Sequence, residues 1–190
     1  MPVQQQRQAY QRQVAELDPQ RLIFLDEMGA ALNLTPVYGR SRKGTRAYGE
    51  KPTSRGTRLS TLGALGSHAL LTAMCFEGTL NGAVFLFFLE HFLCPLLQPG
   101  QIVIVDNAKA HQVDEARELI EDKGARLVYL PPYSPDLNPI ELAWSKVKHW
   151  LRKARARTVE TLYQALSQAL ETITADNAAA FFKHVGICIQ

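Results

Sequence analysis

VIVDNAKAHQVDEARELIEDKGARLVYLPPYSPDLNPIELAW, from Val103 to Trp144, is the stretch that decides the fold. The apolar run Ile102 to Val105 has the composition of a buried strand and ends on Asp106. Val113, Ala116 and Ile120 then mark one face of a helix, and Gly124 can close it in the left-handed conformation. Arg126 to Leu130 reads as a further strand, and a Pro-rich turn delivers Glu141 into the first turn of another helix. Two carboxylates thus fall at element ends, where open α/β sheets build their sites. Upstream, Arg21 to Leu25 reads as a strand ending the same way, on Asp26. Leu22, Phe24 and Asp26 share one face, while Ile23, Leu25 and Glu27 share the other. Both faces are apolar until the end, so this strand is expected at the centre of the sheet, covered on both sides.

Three acids from three elements can therefore meet at one edge of a sheet. Mg²⁺ takes oxygen ligands and keeps waters and substrate phosphates in its shell. Three acids can hold two ions about 4 Å apart, which suits in-line displacement at a phosphodiester. Each acid also has a plainer reading. An Asp followed by Asn, as at Asp106, is often a turn residue. Asp26 has Glu27 beside it as a rival. Asn138 can be an N-cap with Pro139 as the first helical residue, which would make Glu141 a capping-box acid. His111 could orient a phosphate or a water, or simply stand on the surface.

The motifs DNAKAH from Asp106, PPYSPDLNPIE ending on Glu141, and FLDE around Asp26 together resemble the DDE transposases, in particular the bacterial insertion-sequence branch of the mariner superfamily. The likeness covers about residues 10 to 175. It implies a ribonuclease H-like fold in which Asp26, Asp106 and Glu141 are catalytic and hold two Mg²⁺ ions, with Mn²⁺ as a substitute. Asn107 and His111 belong to the same motif as auxiliary residues. The implied activity is metal-dependent cleavage of DNA at transposon ends and strand transfer into target DNA. The implied partners are duplex DNA and further copies, as a homodimer or a higher assembly on DNA. The family's helix-turn-helix segments have no room before Asp26, so a separate helix-turn-helix subunit or an upstream frame product is expected to supply them. The alternatives are a truncated, non-catalytic DNA-binding remnant and a different ribonuclease H-like nuclease acting on RNA–DNA hybrids.

The rest of the chain fits this frame. At 190 residues, 46% hydrophobic and 21% charged, it is expected to fold around one sizeable core. The cysteines Cys75, Cys94 and Cys188 show no metal-ribbon or disulfide spacing, which suits a reducing, cytoplasmic setting. The most apolar run, Ala83 to Leu97, is interrupted by Glu90 and His91 and falls short of the ~20 residues that span a bilayer. Residues 1–20 are expected as a linker helix and 21–190 as the catalytic domain. A hairpin is expected from Leu59 to Phe76, and Asn81 as the cap of a helix running to about Leu97. The resulting order β-β-β-α-β-α-β-α predicts a mixed five-stranded sheet with helices on both faces.

Charge is concentrated in two places. The loop 36–58 carries seven Lys or Arg between positions 40 and 58 against the single acid Glu50. Loops this long usually carry function or are disordered. Arg40, Arg42, Lys43 and Arg46 are its candidate DNA-binding residues. The second place follows Glu141: Lys146, Lys148, Arg152, Lys153, Arg155 and Arg157, with no acid between Leu142 and Val159. Glu141, Ser145, Lys148 and Arg152 fall on one helical column, which makes Lys148 and Arg152 candidate phosphate contacts. Farther on, Thr158 is expected to restart a helix and Asp176 to cap a last one through the C-terminal helices 158–190.

Overall fold

The structure is a computed structural model that describes residues 2–54 and 56–189. Arg55, one of the loop's basic residues, lies outside the described residues. Among the described residues five strands form one sheet: β1 (Leu22–Ala31), β2 (Arg58–Gly66), β3 (Leu70–Glu77), β4 (Ile102–Val105) and β5 (Arg126–Tyr129), in the order β3-β2-β1-β4-β5. β1 is antiparallel to β2 and parallel to β4, and β4 is parallel to β5. The helices are α1 (Val3–Ala15), α2 (Gly82–Phe88), α3 (Asp114–Glu121), α4 (Ile140–Ala154), α5 (Val159–Glu171) and α6 (Ala175–His184).

The alternation read in β1 separates two cores. Leu22, Phe24 and Met28 pack with Trp144, Val147, Leu151, Leu166 and Phe182 on the side of α4, α5 and α6. Ile23 and Leu25 pack with Phe85, Phe88, Val103 and Ile120 on the side of α2 and α3. α4 is fixed to the sheet by Ile140, Val147 and Leu151, whose burial contributes roughly 1.5–3 kcal/mol each. Its Trp144 lies over Gly63, where an added Cβ would stand 2.6 Å from the indole ring. Gly63 is the antiparallel partner of Asp26, so this close approach brings the first turn of α4 to the Asp26 position.

Several expectations are corrected. β1 does not end at Asp26 but runs to Ala31, because β2 pairs with it along its whole length, to Ala31 opposite Arg58. Only the parallel pairing to β4 stops early, at Phe24 opposite Ile104. α1 is no free linker, since Tyr10 and Val14 are buried in the main core. The helix capped by Asn81 gives way after Phe88 to a π-helical turn and then a 3₁₀ turn ending at Leu96. α6 is capped by Thr174, whose hydroxyl accepts from the Asn177 amide, and Asp176 sits inside its first turn. No helix among the described residues is long and apolar enough to cross a membrane.

Candidate active site

The pairing pattern places two of the acids together. Phe24 is opposite Ile104 in the parallel ladder, and two residues farther along each strand stand Asp26 and Asp106, where β4 has ended. Glu141 enters from the first turn of α4. All three line one cavity of about 420 Å³, together with Asn107, Asn138 and the Pro-rich turn.

The electrostatics couple Asp26 to both other acids. Burial, then the charges of Glu141 and Asp106, raise the Asp26 carboxyl from its ordinary 3.8 to about 8, against the opposing pull of the Glu27 amide and Lys148. Its Oδ1 accepts a hydrogen bond from that amide at 2.8 Å. Asp106 behaves oppositely. Burial pushes it up, but His111 and the Ala108 amide outweigh burial and hold it below the usual carboxylate value. The neighbours thus divide into one carboxylate fixed as an anion and one that keeps its proton near neutrality.

This gives a testable pH dependence. Asp26 binds its proton more tightly folded than unfolded, so the penalty for ionising it is absent below pH 3.8, grows with pH and is complete above about 8. Without divalent cation, thermal stability should fall across that interval, and Asp26→Asn should remove most of the fall. Melting curves between pH 5 and 8.5 check this; equal slopes in parent and variant would contradict it.

His111 is not on the surface. It is 2% exposed, with Nδ1 2.5 Å from Asp106 Oδ1 and its ring against Phe85. Its carbonyl accepts from the Tyr129 hydroxyl at 3.1 Å. It stands behind Asp106 and fixes that carboxylate. Asn107 lines the cavity, but its side-chain oxygen accepts from Gln112 Nε2. Glu27, the rival of Asp26, is drawn away to the Ser60 hydroxyl at 2.6 Å and to Arg58.

Glu141 is not a capping residue. Helix α4 has no side-chain cap, and the amide of Asn138 donates to the Pro135 carbonyl instead. Asn138 is itself 3% exposed, and its Oδ1 has no hydrogen-bond partner among the described residues. A buried orphan oxygen normally calls for an explanation. Here it lines the same cavity as three carboxylates, an all-oxygen donor set of the kind hard cations such as Mg²⁺ favour. The set fits such a cation, although among the described residues no three His, Cys, Asp or Glu side chains are gathered as a closed metal cluster. Mg²⁺ needs only one or two carboxylates per ion, so an open arrangement suffices.

The basic residues divide. Lys146 is spent inside the fold on the Thr172 carbonyl and Asn177. Arg157 is likewise spent on the Leu32 and Leu34 carbonyls. Lys148 stays near enough to Asp26 to lower its pKa. Arg152 and Arg155 line a cleft of about 520 Å³ with the loop segment that carries the exposed Tyr38 and Tyr48. Arg40, Arg42, Lys43 and Arg46 are all exposed on that loop.

Comparison with known proteins agrees with this geometry. A family model described as DDE superfamily endonuclease matches residues 21–163. No curated protein matches. The fold is similar to that of Mos1 transposase in its paired-end complex with left transposon end, at TM-score 0.78 and 15% identity, over 96% of this chain and 58% of that one. For the Mos1 mariner paired end complex with Mn the values are 0.76 and 18%, over 98% and 59%. The chain thus spans about three fifths of those proteins. Against the catalytic domain of Mos1 mariner transposase the TM-score is 0.68 at 14% identity, over 98% of this chain and 91% of that domain. The mixed five-stranded sheet expected from the element order, and the ribonuclease H-like fold that the resemblance implies, are the fold observed.

Proposed function

The chain belongs to the DDE superfamily endonuclease family, and on that premise we propose that it is the catalytic domain of a DNA transposase, cleaving phosphodiesters at transposon ends and joining the freed strand to target DNA. The observation that carries this reading is the meeting of Asp26, Asp106 and Glu141, from three separate elements, in one cavity. These carboxylates would hold two divalent cations, Mg²⁺ or Mn²⁺, which when bound supply charge stabilisation for both the attacking and the leaving oxygen. The similar Mos1 structures include complexes with Mn and with Mg.

The chain's own residues have distinct tasks in this reading. His111 keeps Asp106 ionised and oriented, as partners of metal-ligating groups do. Asp26 gives up its proton when a cation enters, so binding and deprotonation are coupled. Lys148 neutralises a phosphate at the rim of the cavity. Arg152 and the loop residues Arg40, Arg42, Lys43 and Arg46 continue the basic path along the DNA backbone. Pairing of two copies on DNA, and a helix-turn-helix reader supplied as a separate subunit or an upstream frame product, belong to the same proposal.

The test is strand cleavage of a duplex carrying an inverted-repeat end, with Mg²⁺ and then with chelator. Nicks that appear only with Mg²⁺ support the reading. DNA binding without any cleavage would favour the non-catalytic remnant. For the basic path, Lys148 lies roughly 10 Å along the helix from Glu141 at about 1.5 Å per residue. Replacing Lys148 and Arg152 together by Glu should weaken duplex binding and reduce the salt slope by about two, near 0.9 per phosphate contact. An unchanged slope would count against this path.

A further inference from the structure

Arg7 of α1 reaches the Pro-rich turn 129 residues away and forks onto it. Its Nη1 donates to Ser134 Oγ at 2.8 Å and to Asp136 Oδ1 at 2.9 Å, and its Nη2 donates to Asp136 Oδ2 at 2.5 Å. We propose that this fork is a positioning device, holding the turn that carries Asn138 and leads into Glu141 at the start of α4, so that α1 forms part of the support of the cation site. The inference rests on the functional reading given above.

Three observations make the contact more than a surface ion pair, which ordinarily contributes little. First, its geometry is two-toothed, the form in which an Arg–carboxylate pair adds direction as well as energy. Second, it is anchored at both ends. α1 is tied down by the buried Tyr10 and Val14, and Ser134 is 4% exposed. Third, the turn needs holding. Tyr133 sits at φ 55°, in the left-handed region that costs a non-glycine residue energy and persists only where its surroundings impose it. The Ser134 hydroxyl spans that residue, donating to the Pro132 carbonyl at 3.1 Å while it accepts from Arg7. Tyr133, Ser134, Pro135 and Asn138 all line the cavity of the three acids. A turn that relaxed would move the cavity wall and the start of α4 together.

The experiment compares the parent with Arg7→Ala, Arg7→Lys and Asp136→Asn, at a temperature where all are folded. It reads Mn²⁺ affinity by calorimetry and amide hydrogen exchange over residues 133–141. Arg7→Ala should bind Mn²⁺ about tenfold more weakly, the low end of what losing a supporting partner costs a metal site, and exchange faster across the turn. Arg7→Lys should recover little, because an ammonium keeps the charge but not the fork. Asp136→Asn should weaken binding in the same direction, and it serves in place of Arg7→Ala if that variant does not fold. A merely structural contact would lower the melting temperature and leave Mn²⁺ affinity untouched, and that result overturns the proposal. Full recovery by Lys would also overturn it, since charge rather than geometry would then be acting. If the parent itself binds no Mn²⁺, the functional reading fails, which the parent alone reveals without any variant.

Discussion

Asp106→Asn is expected to lower Mg²⁺-dependent cleavage of duplex DNA at least about a thousandfold, the equivalent of the several kcal/mol that a metal ion's charge stabilisation is worth. The fold should survive. The Asp106 carboxylate accepts from the Ala108 amide at 3.1 Å and faces His111 Nδ1 at 2.5 Å, and an Asn oxygen can accept both. What Asn lacks is the negative charge that His111 and the Ala108 amide hold in place. Circular dichroism and a melting curve on the same preparation separate loss of chemistry from loss of structure. Cleavage retained near the parent rate would remove Asp106 from the site.

Glu141→Gln should have a comparably large effect on cleavage and almost none on stability. The sequence allows Glu141 to be a capping-box acid, and in that role Ala would cost about 1 kcal/mol while Gln would not. The structure shows no side-chain cap on α4, so neither substitution should lose a cap. Removing the charge instead relieves Asp26, whose pKa Glu141 helps to raise. Without cation, both variants should therefore melt at or slightly above the parent temperature near pH 8. A fall of about 1 kcal/mol confined to the Ala variant would reinstate the cap, whereas parent-like cleavage by the Gln variant would exclude Glu141 from the chemistry.

Much of this arrangement could be read locally. The four-residue run Ile102–Val105 ending on Asp106 is a buried strand by composition alone, and β4 has those bounds. The two faces of Leu22 to Glu27 separate into the two cores as their alternation implies. The stripe Ile140, Trp144, Val147, Leu151 is buried as its helical spacing requires. What stayed hidden depends on contacts between distant parts of the chain. The length of β1 is set by pairing with β2, across the whole basic loop. The burial of α1 depends on a core formed mostly by residues after position 130. Nothing in MPVQQQRQAY marks Arg7 as the partner of Asp136. The burial of His111 depends on Phe85 and Tyr129, which come from other elements. Lys146 and Arg157 belong to the basic run after Glu141, yet they hold backbone carbonyls elsewhere in the fold.

Asp26, Asp106 and Glu141 are expected to bind divalent cation together. Calorimetric titration of Mn²⁺ into the DNA-free protein at pH 7.5, in two buffers of different ionisation heat, tests it most directly. Saturable binding with release of a substantial fraction of a proton per protein is expected, because burial and the neighbouring acids raise the Asp26 carboxyl to about 8 and the ion displaces the proton it holds. Both the binding and the proton release should collapse in Asp106→Asn and in Glu141→Gln. Equal uptake by the parent and both variants, or none by the parent, would contradict it.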